Sequence, residues 1–253
     1  MEEKKKSINF HTRTIYFPPL KKEVNILLQK HDGPCLLIAI FNSLVLKGKV
    51  SIKSGIYSSS SIINIIQDYN PEVHELEKVV NGYYVNPSFN SCTDFIDYPE
   101  FLNKLGIRLM HSMIPSKWQM KYSVIKNCNY DSLVNQIVEL DSSKHCSSLL
   151  RALKSWYSKI SKQITQAGVK QIEKEIQEGE ALIYFRKSHF ACIYKYSNHV
   201  YSLLTFRGRW SKNCVWSSLP SANEERQYFD MNFEMTYCKS WEESRKSSQR
   251  KTD

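Results

Sequence analysis

The stretch LLQKHDGPCLLIAIFNSLVLKGK, residues 27–49, decides how this chain is read, because it joins an apolar extended entry to a turn and then to the longest apolar run in the sequence. Asp32, Gly33 and Pro34 make a helix-start signal, with Asp32 or Gly33 as the cap and Pro34 in the first turn, where its missing N–H costs nothing. From Leu36 to Leu46 nearly every helical face is apolar, and Gly48 supplies the stop. Such a helix must be buried on all sides. Its first turn carries Cys35, where the positive end of the helix dipole and unpaired backbone N–H groups favour thiolate over thiol. A small buried hydrophobe is the plainer role for the same residue, and the segment by itself leaves both open.

Working outward, TIYFPPLKKEVNILLQK (14–30) reads as one or two short strands turned at Pro18-Pro19. Residues 58–80 read as a helix ending near Asn70-Pro71 and a second short helix after it. NGYYVNPSF (81–89) and GIRLMHSMI (106–114) read as strands, with DYPEFLNKL (97–105) a short helix between them. Beyond residue 118 the pattern predicts a helix from Tyr130 to Leu140 and then a polar loop. Ile160, Ile164, Ala167, Ile172 and Ile176 predict one amphipathic helix ending at Gly179. After Gly179 come ALIYFR, HFACIYKY and HVYSLLTF, three β-rich runs that predict an antiparallel meander, with CVWSSL (214–219) as a candidate edge. The expectation is one α+β domain over 13–231, preceded by a disordered basic arm (1–12) and followed by a charged tail (232–253).

The bulk composition is that of an ordinary globular protein, with 42% hydrophobic and 24% charged residues in 253. No apolar stretch is long enough to span a bilayer, and MEEKKKS lacks the apolar segment of a signal peptide, so the expected location is the cytoplasm, with the nucleus as the alternative. Seven cysteines without a CxxC pair point to reduced thiols rather than a disulfide framework or a four-cysteine zinc site. Seven histidines form no HxxxH pair, and no metal or cofactor is expected. Much of the formal charge of +10 sits at the ends, in KKK at 4–6 and ESRKSSQRK at 243–251, which reads as solvated termini rather than a specific nucleic-acid groove. A monomer without membrane attachment is expected.

Two further residues complete a possible chemistry. Gln29 lies six positions before Cys35, where its amide could donate to an oxygen that becomes negative when a thiolate attacks a carbonyl. His189 opens the second run of the meander, where it is either the base for a thiol or a half-buried strand histidine. His31 is a poorer base because the turn aims it elsewhere, and His199 beside a hairpin turn faces water.

Q-x5-C, GPCLLIAIFNSLVLKG and YFRKSHFACIYKYSNHVYSLLT together resemble the MINDY family of deubiquitinating cysteine proteases, with weaker similarity between them and on to about residue 231. The resemblance implies a papain-like cysteine protease variant with a buried nucleophile helix and an antiparallel sheet carrying the histidine. It implies Cys35 as nucleophile, His189 as base and Gln29 as oxyanion-hole donor, with isopeptide hydrolysis through an acyl-enzyme and polyubiquitin chains as partners. Val85 and Phe185 match positions of apolar ubiquitin-binding surfaces, although both also suit a strand core. Leu36 stands where the family has a proline, Met113 where it has a tryptophan, and Ala191 and Phe206 where it has polar and acidic residues. Thr205 is then the remaining candidate to orient His189. The tail shows no ubiquitin-interacting helix. A catalytically inactive ubiquitin-binding module and a basic nucleic-acid binder are the alternatives.

Overall fold

The computed structural model describes residues 8–30, 33–143, 147–206, 213–219 and 226–238. Along the chain run β1 (Asn9–Phe17), β2 (Lys22–Leu28), α1 (Cys35–Leu46), β3 (Ile56–Ser58), α2 (Ser59–Tyr69), α3 (Phe101–Lys104), β4 (Leu109–His111), α4 (Tyr122–Lys126), α5 (Tyr130–Ser142), α6 (Ser148–Lys159) and α7 (Gln166–Glu175). Then come β5 (Ala181–Arg186), β6 (His189–Tyr196), β7 (His199–Leu203), β8 (Trp216–Ser218) and β9 (Tyr228–Phe229). Strands β2-β1-β3 form one antiparallel sheet. A second sheet has the order β4-β5-β6-β7-β8-β9. Its meander β5-β6-β7 is antiparallel as expected, but β4 pairs parallel with β5, so the sheet that carries His189 is mixed rather than wholly antiparallel.

Helix α1 lies between the two sheets, packed on β2 at one side and on β5 and β6 at the other. Every residue from Leu36 to Leu46 is buried, as an all-apolar helix requires. Two adjacent polar side chains fasten it. Asn42 Oδ1 accepts from Leu27 N–H at 2.8 Å and its Nδ2 donates to Leu27 O at 3.1 Å, so one side chain satisfies both polar groups of a residue on β2. Ser43 Oγ donates to the Cys192 sulfur of β6 at 3.3 Å. Burial of apolar surface is non-directional, whereas these bonds fix the rotation and height of α1 against both sheets.

Several expectations are corrected. Strand β1 starts at Asn9, inside the arm expected to run to residue 12, because Asn9, Phe10 and His11 pair with the short strand β3 and Phe10 is buried. The expected tail from 232 begins inside the fold: Phe233 is buried and stacks on Tyr196 at 4.4 Å and Trp216 at 5.0 Å. Cys214 and Cys238 form a disulfide with Cα atoms 5.9 Å apart, against the expectation of reduced thiols. They lie 24 positions apart in the sequence, a separation that carries no motif. NGYYVNPSF is held by isolated bridges, Pro87 to Phe95 and Ser88 to Asn129, rather than in a strand.

The single helix expected around 160–176 is divided. Gln163 adopts a left-handed φ of 51°, and Thr165 restarts the chain as the cap of α7, accepting from Gly168 N–H at 3.0 Å. Gly168 presses against the strand side of the fold so closely that a Cβ there would lie 2.1 Å from Ser112 O, a packing no longer side chain permits. Helix α6, which starts in the last residues of the polar loop expected up to 150, buries Leu150, Leu153 and Trp156 on one face, with Ser147 capping it. Among the described residues no helix is long and apolar enough to cross a membrane.

Replacing Asn42 with leucine keeps the volume and strands the buried N–H and C=O of Leu27. The expected loss is about 2–4 kcal/mol of unfolding free energy, read by urea denaturation. A loss below about 0.5 kcal/mol would show that apolar packing alone seats α1.

Candidate active site

Pro34, with φ −69° and ψ 84°, precedes the first residue of α1, which is Cys35. Among the described residues no side chain caps this terminus, so its N–H groups face the sulfur without such a competitor. Phe190 N–H of β6 also points to Cys35 Sγ at 3.5 Å, which sets the thiol beside the strand that begins with His189. Asp32, expected as a cap, and His31 lie outside the described residues.

Gln29 follows the end of β2 and bridges to the far sheet. Its backbone N–H donates to Thr205 O at 2.7 Å, in an isolated parallel pairing with Phe206. The side chain is only 5% exposed. Nε2 donates to Gly33 O at 3.2 Å, and Oε1 is buried without a partner. The fit around Gly33 is close: a Cβ there would come within 3.2 Å of Lys30 O, a tight contact, and 3.6 Å of Gln29 Cγ, an ordinary one.

His189 is delivered by a tight β5–β6 hairpin whose turn residues, Lys187 and Ser188, have φ of 52° and 56°. Its ring stacks on Phe206 with centroids 5.5 Å apart and planes at 25°. A closed circuit results. Cys35 contacts the strand of His189, His189 stacks on Phe206, Phe206 pairs with Gln29, and Gln29 bonds to Gly33 two residues before Cys35.

Gln29, Cys35 and His189 line one cleft of about 610 Å³, with Phe206 at its side and Val79 to Tyr83 forming part of its wall. The three residues expected to act together are therefore brought together. Val85 and Phe185 are not. They are 3% and 7% exposed and belong to the main core, Phe185 packing on Phe190 at 5.0 Å, so in this conformation neither offers a binding surface. Met113 is likewise buried, among Phe89 and Trp156. Thr205 lies on the far side of His189, where it lines a second cavity. The stacking role of Phe206 was not legible, since it depends on a pairing between sheets that no local pattern announces. Among the described residues no three His, Cys, Asp or Glu side chains gather to hold a metal.

The electrostatics oppose the thiolate expected at the start of α1. Burial pushes the Cys35 thiol up from its ordinary value, outweighing the N–H groups of Phe190, Cys35 and Leu36, which act in the expected direction. Burial pushes His189 down, and the positive charge of Arg226 pushes it further. The folded chain without substrate thus favours neutral thiol beside neutral imidazole.

A sequence model of the family described as MINDY deubiquitinase matches residues 8–233. Similar proteins include ubiquitin carboxyl-terminal hydrolase MINDY-1 of Danio rerio, 26% identical over 246 residues that cover 86% of this chain and 47% of that protein. The human MINDY-1 enzyme is 25% identical over 88% of this chain and 54% of its own length. Human MINDY-2 is 26% identical over 85% of this chain and 40% of its own. The chain thus spans about half the length of the curated relatives it matches.

Iodoacetamide alkylation of Cys35, followed against pH, is expected to be slow near neutrality and to rise only above the ordinary thiol value of 9.0. A rate already at its plateau below pH 7 would reveal a preformed thiolate.

Proposed function

The chain belongs to the MINDY deubiquitinase family, and from that premise we propose that it is a cysteine isopeptidase that detaches ubiquitin from lysine, polyubiquitin chains being its substrate. The observation that carries this reading is the single cleft shared by the Cys35 sulfur, the Gln29 amide and the His189 imidazole. Fold analogy alone would not assign a reaction. A thiol, a base and an amide donor converging on one opening are the minimum that acyl transfer needs.

The chemistry proceeds in a papain-like manner. His189 removes the thiol proton as the sulfur attacks the carbonyl carbon at the ubiquitin C-terminus, and the resulting oxyanion accepts hydrogen bonds from Gln29 Nε2–H and from the uncapped N–H groups at the start of α1. Gln29 is suited to this because Gly33 O engages only one of its two amide hydrogens. Imidazolium then gives its proton to the departing lysine amine, leaving a thioester on Cys35. Water, deprotonated by His189, hydrolyses that ester and restores the thiol. The elevated thiol and depressed imidazole do not preclude this sequence, since the proton moves from sulfur to nitrogen during attack.

The same electrostatics favour a second reading, a ubiquitin-binding module that no longer turns over. The two readings part on one experiment. With diubiquitin as substrate, wild-type protein should cleave and Cys35→Ala should not, while both keep the same fold by circular dichroism. Gln29→Ala should lower kcat by about 10²- to 10³-fold with little change in KM. Cleavage that persists in Cys35→Ala would refute the assignment, and chain binding by a wild-type protein that never cleaves would favour the inactive module.

A further inference from the structure

Between Met113 and Ile125, both buried beside Trp156, the chain leaves the core and returns through two tight turns. Gln119 N–H donates to Ser116 O at 2.9 Å, Tyr122 N–H to Gln119 O at 3.0 Å and Ile125 N–H to Lys121 O at 3.0 Å, with Lys121 at a left-handed φ of 59°. The excursion is braced by its own backbone. On it Trp118 is 96% exposed, and Met120 and Val124 are 52% and 36% exposed. None of the three lines the candidate cleft.

The charge around these apolar side chains has one sign. Lys117 and Lys121 flank them in the sequence, and Lys159 at the end of α6 donates from Nζ to Gln119 Oε1 at 3.4 Å, next to Trp118. Residues 112–130 and 142–172, which supply the excursion, α6 and most of α7, contain no Asp or Glu. The carboxylates that border these segments are engaged elsewhere, Asp131 by Tyr84 and Asn86, and Asp141 by Lys154. Among the described residues none of the ammonium groups of Lys117, Lys121 and Lys159 is in an ion pair.

We propose that residues 116–124, with Lys159, are a docking surface for an anionic phospholipid bilayer, Trp118 and Met120 entering the interfacial layer while the lysines meet lipid headgroups. The inference goes beyond the hydrolase reading and is independent of it. Charge complementarity selects an acidic partner. Exposure selects a bilayer over a folded acidic protein. An indole standing clear of its neighbours over 96% of its surface needs a matching pocket on a protein, whereas a lipid interface closes round it and serves both its apolar ring and its N–H. Lysine stems beside it lie along the apolar layer with their charges at the phosphates. The lack of a spanning helix among the described residues bears on insertion, not on adsorption.

The test sediments the full chain with vesicles of phosphatidylcholine and phosphatidylserine, and with vesicles of phosphatidylcholine alone. The expected result is binding to the anionic vesicles that salt weakens, and little binding to the neutral ones. Trp118→Ser should lower the affinity about tenfold. Lys117→Glu combined with Lys121→Glu should lower it about 25-fold, at about fivefold for each lysine lost. Lys22→Glu combined with Lys53→Glu makes the same charge change at exposed positions on and near the first sheet, and should have little effect. That control separates this surface from the basic ends of the chain. Brominated phosphatidylcholine in the vesicles should quench more tryptophan emission in wild-type protein than in Trp118→Ser. Equal losses in the two double variants, or an unchanged affinity in Trp118→Ser, would overturn the inference. So would a Trp118→Ser protein whose only defect is a raised KM for diubiquitin in solution, because the surface would then belong to the substrate. Vesicle binding as expected by a protein that never cleaves diubiquitin would overturn the hydrolase reading and leave the docking surface standing.

Discussion

Two hydrogen bonds between Asn42 and Leu27, one in each direction, tie a helix that is otherwise greasy all round to one strand of the first sheet. Without a directional contact, an apolar cylinder between two apolar sheets could turn or slide at small cost, because burial rewards area rather than register. The neighbouring Ser43 fastens the opposite side to Cys192 of β6. Cys35 sits two turns earlier on the same cylinder, so its position is inherited from those anchors. The geometry of the candidate site is a consequence of core geometry.

The front of the helix is closed by a different device. Gln29 crosses from the first sheet to Thr205 and Phe206, and Phe206 carries the His189 ring. The amide, the imidazole and the sulfur are thereby connected through backbone pairing and ring stacking rather than through a hydrogen-bonded triad. That construction holds the groups in place while leaving the imidazole free of polar partners among the described residues. It explains how the site is assembled yet electrostatically unready: burial raises the thiol and lowers the histidine. In the proposed reaction the substrate supplies the remaining bias.

Much of this was legible in the sequence where a local signal existed. The all-apolar run after Gly33-Pro34 predicted α1 and its burial, and the meander after Gly179 predicted β5, β6 and β7 with His189 at the head of the middle strand. What failed to show depends on distant partners. Gln163 and Gly168 interrupt an apolar spacing that continues straight through them, and only the close approach of Ser112 O explains why. Cys214 and Cys238 meet because the chain after β9 folds back onto the core, which no cysteine spacing discloses. Val85 and Phe185 illustrate the limit of alternating patterns: an apolar strand residue reads the same whether it faces a partner or the interior, and here both face the interior. For the candidate site, Cys35, Gln29 and His189 could be singled out from the sequence and share one cleft, whereas the directions in which burial shifts the thiol and the imidazole, and the stacking of Phe206, required coordinates.

The account stands or falls on whether the seat made for Cys35 presents it to a ubiquitin C-terminus. Ubiquitin carrying an electrophile in place of its terminal carboxylate, followed by peptide mapping, measures this directly. The account predicts one covalent adduct, on Cys35 and on no other cysteine, formed by the folded protein and not formed when the protein is unfolded before the probe is added. An adduct on another cysteine, or none on correctly folded protein, would contradict it.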